Sequence, residues 1–145
     1  MSRITLDQAN GVIAAAFDNG RALGLKPLSV AVLDAGGHLI AFQRQDGAST
    51  LRFQIAAGKA GGALALGVSS RTVGDMAADR PSFIASLGPI SPLGVVPAAG
   101  GVIVVGSDGQ PIGAIGAIGF TGDTSDNDEA CALAGIVAAG LTAQG

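Results

Sequence analysis

Apolar residues along this chain switch between helical and strand spacing, and each switch marks an element. Leu6, Ala9, Ile13, Ala16, Phe17 and Leu23 recur at helical spacing. Thr5 and Gln8 form a capping box ahead of them and Gly24 supplies a stop, so a first helix is predicted here. Two short apolar runs, residues 30–33 and 39–42, then flank Asp34, Ala35, Gly36 and Gly37. The glycines supply the positive φ angles of a tight reversal, which predicts a β-hairpin. A second helix is expected over residues 49–66, capped by Ser49 and stopped at Gly67, with Ile55, Ala56, Lys59, Ala60, Ala63 and Leu64 as its stripe. Gly58, Gly61 and Gly62 each cost this helix about 1 kcal/mol relative to Ala. Their presence predicts another backbone packed closely on that face.

Between residues 70 and 100 the period is lost. Pro81, Pro89, Pro92 and Pro97 interrupt short apolar groups, and only residues 72–78 and 82–87 suit brief helical turns. The expectation is a long irregular excursion serving as a lid, a binding loop or an interface arm. Residues 102–105 and 112–118 around Gly106, Ser107, Asp108 and Gly109 read as a second hairpin. Thr124, Ser125 and Asp126 offer caps to a last helix ending near Ala139, with Ala130, Leu133, Ala134 and Val137 on its inner side. A fifth strand is expected near residues 94–98. This order defines an α+β fold, an antiparallel sheet covered by helices, in a single domain over residues 1–145.

Composition adds a constraint on the surface. Hydrophobic residues make up 48% of the chain before its 24 glycines are counted, and charged residues 13%, roughly half the usual share of about 25%. Too few polar side chains exist to cover a monomer, so a homo-oligomer is predicted. The net charge of −3 and the lack of a Lys/Arg cluster exclude a nucleic-acid partner. The apolar stretches are short and broken by Gly and Pro, which argues against a membrane partner. No basic region precedes an apolar run at the N-terminus, so a cytoplasmic location is expected. Cys131 is single and reads as a small buried hydrophobe.

Few side chains remain for chemistry. His38, the only imidazole, suits a haem-iron ligand or a general acid/base, or is simply solvated beside its turn. Arg44 and Asp46, two apart on an extended segment, share a side and hold either one another or a substrate carboxylate. Lys59 interrupts an apolar helix face, so its ammonium must snorkel outward or meet a partner such as Asp46 or a ligand anion. Gly100 and Gly101 present backbone N–H groups to an anion or merely admit the chain to the next strand. Thr121, Asp123, Asp128 and Glu129 lie around the start of the last helix, where capping and the helix dipole account for most of them. One His and one Cys far apart cannot close a metal site, and no phosphate-loop or dinucleotide spacing is present.

Several motifs occur together in one order: V-A-V-L-D-A-G-G-H-L-I-A-F-Q-R-Q-D-G-A from Val30, A-x-x-K-A from Ala56, P-A-A-G-G-V from Pro97, G-x-P-I-G-A-I-G from Gly109 and T-S-D-N-D-E from Thr124. In these the chain resembles the GlcG and HbpS type of haem-binding-like proteins, a family also found as the C-terminal domain of PduO-type corrinoid adenosyltransferases. It departs from the family's usual pattern at Ile103, where Pro is common, and at Gln45, where Met is. The resemblance implies a profilin-like fold, homo-oligomers that are often octamers, haem binding in some members, and an association with catabolic operons. The function it implies is small-molecule binding, with haem or a carboxylated metabolite as ligand, and the residue chemistry above makes Arg44, Lys59, Gly100, Gly101, Thr121 and Glu129 the expected binding residues. The alternative is a cofactor-independent isomerase, tautomerase or hydrolase of a small carboxylated intermediate. In that reading Arg44 and Lys59 hold carboxylates while His38 or Asp46 moves a proton. A third reading makes the chain an assembly partner of a larger enzyme. No second iron ligand is readable in the sequence, so weak or no stoichiometric haem binding is expected.

Overall fold

A computed structural model of the protein describes residues 3–119 and 124–145. Thr121 and Asp123 lie outside the described residues. Five antiparallel strands, β1 (Ser29–Asp34), β2 (Leu39–Arg44), β3 (Gly101–Val105), β4 (Pro111–Ile118) and β5 (Thr142–Ala143), form one sheet in the order β2-β1-β4-β3-β5. Helix α1 (Leu6–Ala22) packs beside α5 (Ser125–Ala138) on one face, and α2 (Arg52–Leu66) crosses the other. The expected α+β architecture is therefore observed.

Strand alternation sorts the core between these layers. Val30, Val32, Val102, Val104, Ile115 and Ala117 pack with α1 and α5 in the main core, whereas Leu33 and Ala114 meet Ala60 and Leu64 of α2. Because β1 and β4 are buried on both faces, their sequences are almost uninterruptedly apolar. Helix α2 comes unusually close to the sheet. A Cβ on Gly116 would lie 1.9 Å from the Ala56 carbonyl oxygen, and one on Gly101 2.3 Å from that of Lys59. Phe42 of β2 meets Phe53 of α2 edge to face, with ring centroids 5.0 Å apart.

The capping box of α1 is present in both directions, with Thr5 Oγ1 accepting from the Gln8 N–H and Gln8 Oε1 from the Thr5 N–H. The stripe is narrower than expected: Leu6 and Leu23 stand more than half exposed while Val12 is buried. Helix α2 starts later than its apolar pattern, at Arg52. Its N-cap is Leu51, without a side-chain bond, rather than Ser49, because the preceding residues are taken up by a turn in which the Ala48 N–H reaches the Gln45 carbonyl. Gly67 ends the helix in the left-handed conformation, as the sequence indicates.

The largest difference lies between residues 70 and 100. The expected irregular excursion is mostly helical: α3 (Ser70–Asp79), capped by the Ser69 side chain, is followed by α4 (Pro81–Leu87) and a 3-10 turn, Gly88–Ile90. Pro81 sits at the first position of α4, where its missing N–H costs nothing. The prolines punctuate these helices instead of abolishing them. Residues 94–98 do not form the expected fifth strand. They run across α2, and Val96 Cγ2 lies 2.7 Å from where a Gly58 Cβ would stand, Leu93 Cβ 3.0 Å from one on Gly61, and Val95 Cα 3.2 Å from one on Gly62. The close backbone approach predicted from these glycines is observed at Gly62 and at Gly58, where the Leu93 carbonyl oxygen would lie 3.3 Å from a Cβ, whereas Gly61 admits the Leu93 side chain. The fifth strand is Thr142–Ala143 instead, paired with the end of β3.

Helix α5 is rotated relative to its expected face. Asp128, Cys131, Ala132, Gly135 and Ile136 are buried, whereas Leu133 and Val137 are exposed. The helix is apolar on two sides, and a carboxylate on the buried side disguises which of them faces in. Cys131 is fully buried, as expected. Among the described residues no helix is long and apolar enough to cross a membrane.

Candidate functional site

The first hairpin carries its chemistry at the tip. Asp34 ends β1, and one of its oxygens, Oδ1, accepts the backbone N–H groups of Gly36 and His38, each at 2.9 Å. The Gly37 N–H returns to the Asp34 carbonyl at 3.0 Å, which closes the turn. Those N–H bonds, led by that of His38, hold the Asp34 carboxyl below the usual carboxylate range. The His38 side chain is 83% exposed, with Nδ1 3.4 Å from Asp34 Oδ1. Asp34 and His38 stand at one side of a cleft of ≈ 540 Å³ whose other walls include Arg3, Leu6, Ile40 and Ile112. That volume falls within the range of about 300–1,000 Å³ typical of ligand sites, as do those of three other surface grooves of ≈ 540–560 Å³, so the side chains and not the volume distinguish this cleft. A smaller cavity of ≈ 200 Å³ on the opposite side of the turn, between Gly61 and Leu93, falls below that range.

Lys59 lies elsewhere, at the end of the sheet. It is 1% exposed, and its ammonium donates to Asp128 Oδ2 at 3.0 Å and to the Ala117 carbonyl at 3.1 Å. Burial pushes the ammonium below the usual lysine range, and the Asp128 carboxylate opposes that push. The other oxygen of Asp128 accepts the Gly119 N–H at 2.7 Å. The partner of Lys59 is therefore Asp128, not Asp46, and the pair ties α2 to α5 around the last residues of β4.

Gly100 and Gly101 do adjoin Lys59, since a Cβ on Gly100 would lie 2.8 Å from Nζ. However, the Gly101 N–H is already given to Ser70 Oγ at 2.6 Å, so this pair of glycines packs the chain into β3 beside α2. Glu129 receives Arg71 Nε on both carboxylate oxygens at 3.1 Å. The same guanidinium also pairs with Asp126, and these two carboxylates raise the Arg71 pKa. Arg44 and Asp46 line a separate shallow groove with Phe17, Arg21, Leu25 and Pro27.

The structure thus brings Lys59, Gly100 and Gly101 together and places His38, the Arg44–Asp46 groove and Glu129 in three other settings. Sequence reasoning passes over Asp34, Arg3 and Arg71. The signal for Asp34 is present in D-A-G-G-H, since an Asp two residues before a turn glycine commonly bonds the following N–H groups. Among the described residues no group of three or more His, Cys, Asp or Glu is placed to hold a metal ion.

Sheet order, layering and the hairpin define an α+β protein, an antiparallel five-stranded sheet covered by helices on both faces. A family model described as haem-degrading protein HbpS-like matches residues 4–137, and the chain belongs to this HbpS-like family. Among solved structures, a doubly substituted variant of HbpS from Streptomyces reticuli is 29% identical with a TM-score of 0.80, over 94% of this chain and 87% of that one. A PduOC:heme complex is 21% identical with a TM-score of 0.83, over 99% and 100%. Klebsiella pneumoniae protein ORFY is 23% identical with a TM-score of 0.82, over 97% and 93%. A comparison with curated proteins finds no match.

Proposed function

We propose that this chain binds haem in the hairpin-tip cleft. The observation that carries this reading is that the one imidazole of an HbpS-like chain stands exposed at the mouth of a cleft with apolar walls. The donor set fits the group: His38 offers a nitrogen for iron, Leu6, Ile40 and Ile112 offer apolar surface for the porphyrin, and Arg3 offers a guanidinium for a propionate. Bound haem supplies iron-centred redox chemistry. The protein binds and orients it, and the openness of the cleft makes the affinity modest. A heme complex of a protein of this fold adds support.

Carboxylated metabolites as substrates of a cofactor-independent enzyme draw less support, because that reading needs the Lys59 ammonium, which is bonded to Asp128 inside the protein. We also propose, with the family resemblance, that the chain works as a homo-oligomer in a catabolic setting.

The test is a haemin titration followed by absorbance. Amino-acid side chains do not absorb where the Soret band lies, so the shifted and sharpened band of ligated haem is read against that of free haemin alone. The expected result is a saturable band in the wild type that His38→Ala removes. Absence of the band, or a band unchanged in His38→Ala, overturns the proposal.

A further inference from the structure

We infer that Asp34 is the positioning residue for His38: its carboxylate takes the Nδ1 side of the imidazole and leaves Nε2 as the ligand nitrogen. The inference deepens the haem reading and rests on it for its purpose, but its geometry is independent of haem. Two backbone N–H groups hold Asp34 Oδ1 in the turn, and Nδ1 stands 3.4 Å from that same oxygen, at ion-pair range. Among the described residues nothing bonds Nε2.

The ring is held there from a second direction. A Cβ on Gly36 would lie 2.9 Å from His38 Nδ1 and 3.0 Å from Cε1. The imidazole therefore folds back over the bare α-carbon of Gly36 to reach Asp34. A carboxylate behind a ligating histidine fixes its tautomer and raises its basicity. Here carboxylate, glycine and histidine are all supplied by one five-residue turn, D-A-G-G-H.

Two variants separate this role from a structural one. Asp34→Asn keeps an oxygen to accept the two N–H bonds but removes the charge. Gly36→Ala keeps the charge but displaces the ring. The first readout is the tautomer of His38 in the protein without haem, from the imidazole nitrogen chemical shifts at alkaline pH, where the ring is neutral. The wild type is expected to carry its proton on Nδ1, and both variants to shift toward the Nε2–H form with folding unchanged by circular dichroism. A wild type already in the Nε2–H form, or a tautomer indifferent to both substitutions, overturns the inference whatever the haem titration gives. The second readout is haem affinity, expected to fall about 10- to 100-fold in Asp34→Asn. If His38→Ala abolishes binding while Asp34→Asn leaves it unchanged, the positioning role falls and the haem reading stands. If the wild type binds no haem, the haem reading falls while the tautomer still decides the role of Asp34.

Discussion

At the scale of the residue, Lys59 shows how far a sequence can point. An ammonium on an apolar helix stripe must find a partner, and its place in the stripe of α2 is enough to mark it. The partner, Asp128, is not legible, because it lies on the side of α5 that the apolar pattern assigns to solvent. Breaking a buried pair by removing one member costs about 3–5 kcal/mol, a large share of a typical stability of about 5–15 kcal/mol. Lys59→Met is therefore expected to destabilise by that amount in urea unfolding. A loss below about 1 kcal/mol in Lys59→Met, the range of solvated surface pairs, would show that the pair is not buried in solution. His38 is legible as the sole imidazole, whereas the role of Asp34 depends on a ring folding over Gly36, which no spacing rule encodes.

Elements follow the same division between local and non-local causes. The two hairpins, the capping box of α1 and the stop of α2 at Gly67 are readable because each is decided by residues a few positions apart. The register of α5 and the position of the fifth strand are not, since both depend on what packs against them. Glycine makes the contrast measurable. Gly11 lies within α1 with nothing within 4 Å of the Cβ it lacks, so Gly11→Ala should stabilise by about 0.5–1 kcal/mol through helix propensity alone. Gly116 lies in β4, where a Cβ would meet the Ala56 carbonyl oxygen at 1.9 Å. That atom belongs to the backbone of α2 and cannot rotate away. Gly116→Ala must push α2 off the sheet, and overpacking of this kind costs about 1–3 kcal/mol or more. Thermal unfolding of the two variants should therefore shift in opposite directions, and a shift of the same sign in both would contradict this account of how α2 is seated.

The whole molecule returns to the shortage of polar surface. With 13% charged residues, the described surface leaves Leu51 59%, Ile90 78% and Val137 74% exposed. Leu133, one turn before Val137 on α5, is also exposed at 38%, so the face that the spacing assigns to the interior is an apolar stripe turned outward. Scattered exposed apolar residues are ordinary on a monomer, but a stripe on a chain this poor in charge predicts a surface that associates. The expectation is a homo-oligomer whose mass by light scattering is a multiple of 14.0 kDa. Val137→Asp should shift that mass toward the single chain while the circular dichroism spectrum stays the same, because the side chain contributes little to the core of its own subunit. A wild-type chain that remains at 14.0 kDa at micromolar concentration would remove the case for assembly, and the stripe on α5 would then need another occupant.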